Sequence, residues 1–455
     1  MDALIMTLQL ILGLSILVSL HEFGHFITAK WFKMRVEKFY LFFDFLFPIP
    51  SILNFALFKK KVGDTEYGLG WFPLGGYVSI AGMIDETQDA DKLAKTPEPW
   101  EFRAKPAWQR LIVMLGGVIV NIITGVVIFI ALTYSNGENF ISKNELNKNG
   151  IVALEIGQQV GLKTGDKILK VNGKDYTSFA DLRSPDVLLG ENSSYTVLRN
   201  GKELEVKIPS NIIEKLSDKK AAFIEPISAF KIAEVVAPEP GDPQAELLPA
   251  YPAGLRVGDF VTGVNQQPIQ FYHELRDALK KESGNPIKMA ISRNGKVDTL
   301  QMTVNKEGKI GIFPELLIKI DHKDYSFGES VGIGTGRAFS VITDNIRGFK
   351  KIATGDVSAS KALSGPIGIA QMFGGTWDWT RFWMLTGLLS MALAFMNILP
   401  IPALDGGHAI FLIYEMITGK PASEKVLERA QQIGMMILLA LMAYTFGNDI
   451  FKAIF

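Results

Sequence analysis

Four stretches of this chain carry no charged residue and are long enough to cross a bilayer: 3–20, 111–134, 382–404 and 430–448. A hydrocarbon core about 30 Å thick is crossed by roughly 20 helical residues. Lipid offers the backbone no hydrogen-bond partner, so each stretch must satisfy its own amides, and a helix does this within one segment. Charge borders every run: Glu22 after the first, Arg110 before the second, Arg381 and Asp405 around the third, Arg429 and Asp449 around the fourth. With 48% hydrophobic but also 21% charged residues, the chain reads as spans alternating with water-facing domains. A fifth apolar stretch, YLFFDFLFPIPSILNFALF at 40–58, contains Asp44, Pro48 and Pro50 and reads as an interfacial or re-entrant segment. No small-residue cleavage site follows the first run, so it is expected to be a retained span rather than a signal peptide. Lysines and arginines crowd the segment between the first two spans, are few between the last two (Lys420, Lys425, Arg429), and are absent before the first. That bias predicts both termini and residues 135–380 outside, and 21–110 inside. Lys+Arg and Asp+Glu are both 47, so no global basic field favours nucleic acid as a partner.

The long outer segment repeats itself. GLKTGDKILKVN at 161–172 and GLRVGDFVTGVN at 254–265 share G-L-x-x-G-D-x-x-x-x-V-N, and RNGK recurs at 199–202 and 293–296. Two matches at nearly one offset make a tandem repeat. Strand-like runs flank each Asn-Gly turn, as in hairpins, and a helix-like segment lies within each unit. The pattern resembles a pair of PDZ domains of the bacterial protease type, which bind extended peptides by strand addition. The plainer alternative is two small β domains acting as spacers. Domain bounds are expected at 145–212 and 230–312. An amphipathic juxtamembrane connector is expected over 325–378, with membrane domains at 1–134 and 379–455.

The first run ends in His-Glu-Phe-Gly-His, residues 21–25. Polar groups at the end of a span are costly and are usually there for a function. On a helix, H-E-x-x-H places His21 and His25 four residues apart on one face, where both imidazoles reach one metal. Glu22 then sits beside a metal-activated water as acid/base. The chain has no cysteine, so any metal ligand must be His, Asp or Glu. A catalytic zinc needs a third protein ligand and an open position. The third run ends in MNILPIPALDGGHAIFL, 396–412, and brings Asp405 to the inner end of its span. His21 lies about 27 Å down a helix that starts outside, at roughly 1.5 Å per residue. Both sites therefore fall in the same inner layer. His408 is a rival ligand, and a plain Asp-Gly turn is the alternative for Asp405.

H-E-F-G-H on the first span and N-x-x-P-x-P-x-L-D-G-G on the third resemble the site-2 protease family of intramembrane zinc metalloproteases. The tandem insert and four spans are most similar to its regulator of sigma-E protease branch. The resemblance covers nearly the whole chain. It implies one zinc held by His21, His25 and Asp405, Glu22 as catalytic acid/base, and Asn397, Pro400 and Pro402 as substrate-holding residues. WFPLGGYVSIAGM at 71–83 resembles the family's F-x-x-G-G element, a membrane-associated β-hairpin, through Phe72, Gly75 and Gly76. GGVIVN resembles its G-x-x-x-N motif through Gly117 and Asn121, with Val118 where many relatives carry proline. The resemblance counts Asn121, with Phe72, Gly75 and Gly76, among the substrate-binding residues; helix packing is the plainer alternative for Gly117 and Asn121. The implied fold is a multi-pass α-helical membrane protein with that hairpin and two inserted PDZ-like α+β domains. The implied activity is hydrolysis of peptide bonds inside single-span membrane proteins of the bacterial inner membrane, such as an anti-sigma factor or a remnant signal peptide. Peptide ligands of the PDZ-like domains would be further partners. The competing reading is a non-proteolytic metal-containing membrane protein that senses envelope peptides. A transporter has no inverted repeat to support it.

Overall fold

The computed structural model describes residues 2–45, 53–73, 75–83, 96–217, 222–238 and 248–454. They form two compact units, Met1–Gly137 with Asp324–Phe455, and Glu138–Lys323.

The first unit is built on helices α1 (Asp2–Trp31) and α2 (Ala107–Asn136). They touch backbone to backbone. A Cβ on Gly24 would fall on the Gly116 carbonyl, and one on Gly116 would fall against the Gly24 carbonyl and Thr28 Oγ1. Such contact needs small residues, and in lipid it is close packing that holds helices together. Helix α3 (Phe327–Ala353) begins in a capping box: the Ser326 hydroxyl accepts from the Glu329 amide, and the Glu329 carboxylate accepts from the Ser326 amide at 2.9 Å. It lies along α2, with Gly334 against the Ile130 backbone and Ala338 buried beside Phe129. Helix α4 (Pro366–Phe373) has its first turn tied down from another element. Asp449 of α7 (Glu424–Ile454) accepts from the Gly365 and Gly368 amides, both at 2.9 Å.

Helix α5 (Trp379–Ile398) packs on α2. Met391 fills the space over Gly125, and Ser390 Oγ donates to the Asn121 carbonyl at 2.7 Å. The uncharged run 382–404 is not one helix. α5 stops at Ile398, and a separate helix α6 (Asp405–Thr418) starts at the acid itself. Pro400 and Pro402 lack amide hydrogens and cannot continue an α-helix, so 399–404 turns instead. Ala403 takes φ 91° in that turn, a strained value for a residue with a Cβ. Among the described residues, four helices are long and apolar enough to cross a membrane: Asp2–Trp31, Ala107–Asn136, Trp379–Ile398 and Lys425–Lys452.

Between α1 and α2 lies a four-stranded sheet of β1 (Val36–Tyr40), β2 (Ala56–Val62), β3 (Thr65–Gly70) and β4 (Tyr77–Ile80), in the order β2-β3-β1-β4. This corrects the expected hairpin at 71–83. The hairpin is β2-β3, while β4 pairs antiparallel with β1, which in turn runs parallel to β3. Glycines make the crossover possible: side chains on Gly68 and Gly75 would strike the Tyr40 and Phe43 rings. The fifth apolar stretch thus supplies strand at both ends; its middle, 46–52, and residue 74 lie outside the described residues.

The second unit holds two separate hydrophobic cores, one drawn from 146–224 and one from 230–310. Its repeated motifs make one repeated contact. Asp166 pairs with Arg199 at 2.6 Å and Asp259 with Arg293 at 2.7 Å. Each arginine also donates 2.8 Å to the first glycine carbonyl of its motif, Gly161 or Gly254. Asn200-Gly201 and Asn294-Gly295 all have positive φ, which a tight hairpin turn requires. The unit's entry and exit strands, Glu138–Phe140 and Asp321–Lys323, pair antiparallel.

The Asp259 side chain is 1% exposed. Burial pushes its pKa up, but the Arg293 guanidinium and the Arg256 amide more than offset this and hold it below the usual carboxylate range. The folded-state pKa is the lower one, so this stabilisation is complete above about pH 4, the ordinary Asp range, and is lost as pH falls through the folded value. Arg293→Ala leaves the carboxylate buried and unpaired, a defect that costs about 3–5 kcal/mol. Hydrogen exchange on the full chain at pH 7 is expected to show that loss of protection within 230–310, sparing 146–224. Uniform protection would remove the pair from the list of stabilising contacts.

Candidate metal centre

α1 presents His21 and His25 one turn apart, and α6 presents Asp405 from its first turn. Their facing atoms form a near-equilateral triangle: His21 Nε2 to His25 Nε2 3.2 Å, His21 Nε2 to Asp405 Oδ2 3.2 Å, His25 Nε2 to Asp405 Oδ2 3.5 Å. This is the one group of three or more such residues among those described that places its ligand atoms within metal-binding reach. Zinc bonds of about 2.0–2.1 Å in tetrahedral geometry set ligand atoms about 3.3–3.4 Å apart. A single shared proton would draw two of the atoms into a hydrogen bond and leave the third aside. Instead the sides are nearly equal, and Asp405 Oδ2 is buried with no hydrogen-bond partner among the described residues. The donor set therefore fits zinc.

The rings are held from behind. His25 Nδ1 lies 2.8 Å from the Val113 carbonyl, so the proton sits on Nδ1 and the Nε2 lone pair faces the centre. Asn121, 1% exposed, has its side-chain amide 3.2 Å from His21 Nδ1, while its Oδ1 is buried and unpartnered. A half-turn of that amide lets Oδ1 accept the Nδ1 proton, and this satisfies both groups and frees His21 Nε2 as a ligand. Space for the rings comes from Gly117, where a Cβ would lie 2.5 Å from His21 Cε1 and His25 Nε2.

Glu22 lines the same cavity, of about 180 Å³, and receives the Val78 backbone amide from β4. Of the other expected site residues, Asn397 lies with its side-chain amide 3.3 Å from His21 Nε2, and Gly76 lines the cavity. Phe72 bridges to Phe43, against which Gly75 also packs, and Phe43 itself lines the cavity. Pro400 and Pro402 form the turn that delivers Asp405, and Gly434 of α7 sits on the Pro402 carbonyl. His408 lines the cavity but does not belong to the triad. Sequence reasoning missed Val113 as the His25 partner, because a carbonyl carries no residue signature. It also missed Tyr77, Val78, Met83, Met114 and Gln431 as cavity wall.

The model for the peptidase family M50 matches residues 9–441. The chain belongs to peptidase family M50. As an M50 member it is an intramembrane zinc metalloprotease. Among similar proteins, one from Neisseria meningitidis named as a candidate zinc metalloprotease is 28% identical over 97% of this chain and 98% of its own. The regulator of sigma E protease of Salmonella typhi is 27% identical over 96% of this chain and 97% of its own. That of Salmonella typhimurium is 27% identical over the same shares.

Proposed function

We propose that this M50 protease cuts single-span membrane proteins within their transmembrane segment, using His21, His25 and Asp405 to hold zinc and Glu22 as acid/base. The observation that carries the assignment is the ligand triangle with Glu22 in the same cavity. Bound zinc supplies Lewis acidity for the attacking water and the scissile carbonyl. Glu22 takes the water's proton and returns it to the leaving amine, and the Val78 amide fixes the carboxylate while it does so. Among the described residues β4 is the end strand of its sheet, and we assign its outer edge the role of pairing with an unwound substrate. Asn397, beside His21, is placed to orient the scissile carbonyl. A helical substrate hides its carbonyls in its own hydrogen bonds, so segments with helix-breaking residues are preferred. We infer an anti-sigma factor or a remnant signal peptide as the substrate class.

The positive-inside bias supports an inner-membrane topology with both termini and the insert outside and the zinc toward the cytosol. The insert's two cores, each with a paired Asp–Arg motif, support the PDZ-like reading, and we assign it the role of excluding substrates with bulky outer domains. In the test, purified protein is incubated in detergent with two transmembrane peptides, one with a central Gly-Pro breaker and one without, and the products are mapped by mass. Cleavage near the breaker and resistance of the other peptide are expected. Zinc-loaded protein that cuts neither would favour the non-proteolytic reading.

Because Glu138–Phe140 and Asp321–Lys323 are already paired, 141–320 can be replaced by an Asn-Gly turn. That deletion is expected to keep peptide cleavage and to admit substrates whose folded outer domain blocks the parent. Equal exclusion by both forms would sink the sieve.

A further inference from the structure

The β-sheet runs back along the last turns of α1. At one end, the Ala81 amide donates to the Arg35 carbonyl, and Lys30 Nζ donates to Thr65 Oγ1 at 2.9 Å, so this end is level with the close of α1. At the other, Tyr77 and Phe43 line the cavity with His21, ten residues earlier in α1, or about 15 Å of helix. The sheet thus lies alongside the last turns of α1. Its outer edge is β2, opposite to the substrate-facing β4.

Register fixes the depth of each residue on that edge. Tyr77, Tyr40, Gly68 and Lys59 form one row across the sheet, level with the zinc cavity. Lys60 and Lys61 follow at about 3.3 Å each toward the close of α1. On the deeper side lie Leu57 and Phe58, 63% and 61% exposed, then Leu53 and Phe55, with Phe55 stacked on Trp71 at 5.7 Å. Large apolar side chains exposed at bilayer depth below a lysine collar are the signature of an interfacial anchor. All three lysines are exposed, and no ion pair of theirs is found among the described residues. Glu66, opposite Lys61 in the register, already accepts from Tyr40 Oη at 2.7 Å.

We propose that Lys59, Lys60 and Lys61 form a binding site for anionic phospholipid headgroups, with Leu53, Phe55, Leu57, Phe58 and Trp71 seated among the acyl chains. The lysine stems are long enough to carry their charges to the phosphate level while the strand stays deeper. The occupant is a lipid rather than an acidic protein because cationic and apolar elements are stacked along the membrane depth, in the order of a phospholipid's own parts. This site is independent of the cleavage chemistry.

The full chain in neutral detergent is titrated with phosphatidylglycerol or phosphatidylcholine brominated on the acyl chains, which quench tryptophan on contact. The parent minus its Trp71→Phe variant isolates the Trp71 signal. Each lysine near an anionic surface contributes about a fivefold preference. Trp71 is therefore expected to be half-quenched at a phosphatidylglycerol fraction at least about tenfold below that for phosphatidylcholine. Lys59→Gln/Lys60→Gln/Lys61→Gln, with unchanged zinc content as the folding control, is expected to merge the two curves. Equal quenching of the parent by both lipids overturns the proposal, as does a preference that survives in the triple variant. Loss of the preference in millimolar inorganic phosphate would reassign the site to a soluble anion. An acidic peptide that shifts Trp71 emission without phosphatidylglycerol, in the parent alone, would reassign it to a protein segment.

Discussion

Glu22→Gln is expected to bind zinc like the parent and to lose about a hundredfold to ten-thousandfold in turnover, the range for removal of a general acid/base. The physical case rests on what glutamine keeps. It has nearly the same shape, and its side-chain carbonyl still accepts the Val78 amide, so β4 stays in place. The proposed zinc ligands are untouched, because His21, His25 and Asp405 complete their triangle without Glu22. What disappears is the oxygen that takes and returns a proton. The loss corresponds to about 3–5 kcal/mol of barrier. Metal analysis together with single-turnover cleavage of the breaker peptide decides the point. A zinc-loaded variant that cuts at the parent's rate would remove Glu22 from the mechanism. Loss of zinc would make it a structural residue of the site.

Gly117→Ala is expected to weaken zinc binding by at least about ten- to hundredfold, as loss of ligand orientation does, while leaving the helices folded. The added methyl would meet both imidazoles: 2.5 Å to His21 Cε1, 2.5 Å to His25 Nε2 and 2.7 Å to His21 Nδ1. Those rings must withdraw by about 1 Å to reach ordinary contact, whereas zinc–ligand distances tolerate about 0.2 Å. No helix backbone stands among the three nearest atoms, so the α1–α2 packing survives. Gly24→Ala is the contrast: its methyl lands on the Gly116 carbonyl and drives the helices apart, so its first symptom is a lowered melting temperature. Competition with a chelator of known affinity, alongside thermal melts, separates the two. If Gly117→Ala held zinc as tightly as the parent, the residue would be a packing glycine only.

Much of this protein is legible in its sequence. Residues 21–25 offer two candidate ligands and a candidate base because helix geometry alone puts i and i+4 on one face. The uncharged runs foretell the four long apolar helices because lipid leaves the backbone one local solution. The repeated G-L-x-x-G-D and R-N-G motifs foretell paired units, and the contact that explains both, Asp to Arg, is the same in each. Each of these inferences needs only neighbours in the chain or a repeat of them.

The rest was decided by tertiary structure. Composition cannot tell where a span stops, and the end of α5 at Ile398 rather than 404 follows from two prolines acting with the fold around them. The strand order β2-β3-β1-β4 rests on a parallel pairing across 28 residues, which no local pattern encodes. The Val113 carbonyl behind His25, the Asn121 amide behind His21 and the room left by Gly117 are likewise contacts between residues some 90–100 positions apart. Sequence determined which groups were available for the chemistry, because side-chain identity and helical period are local. Only the packing of α1 and α6 on α2 could bring three candidate ligand atoms to within 3.5 Å, because that distance depends on backbones that meet in space and not along the chain.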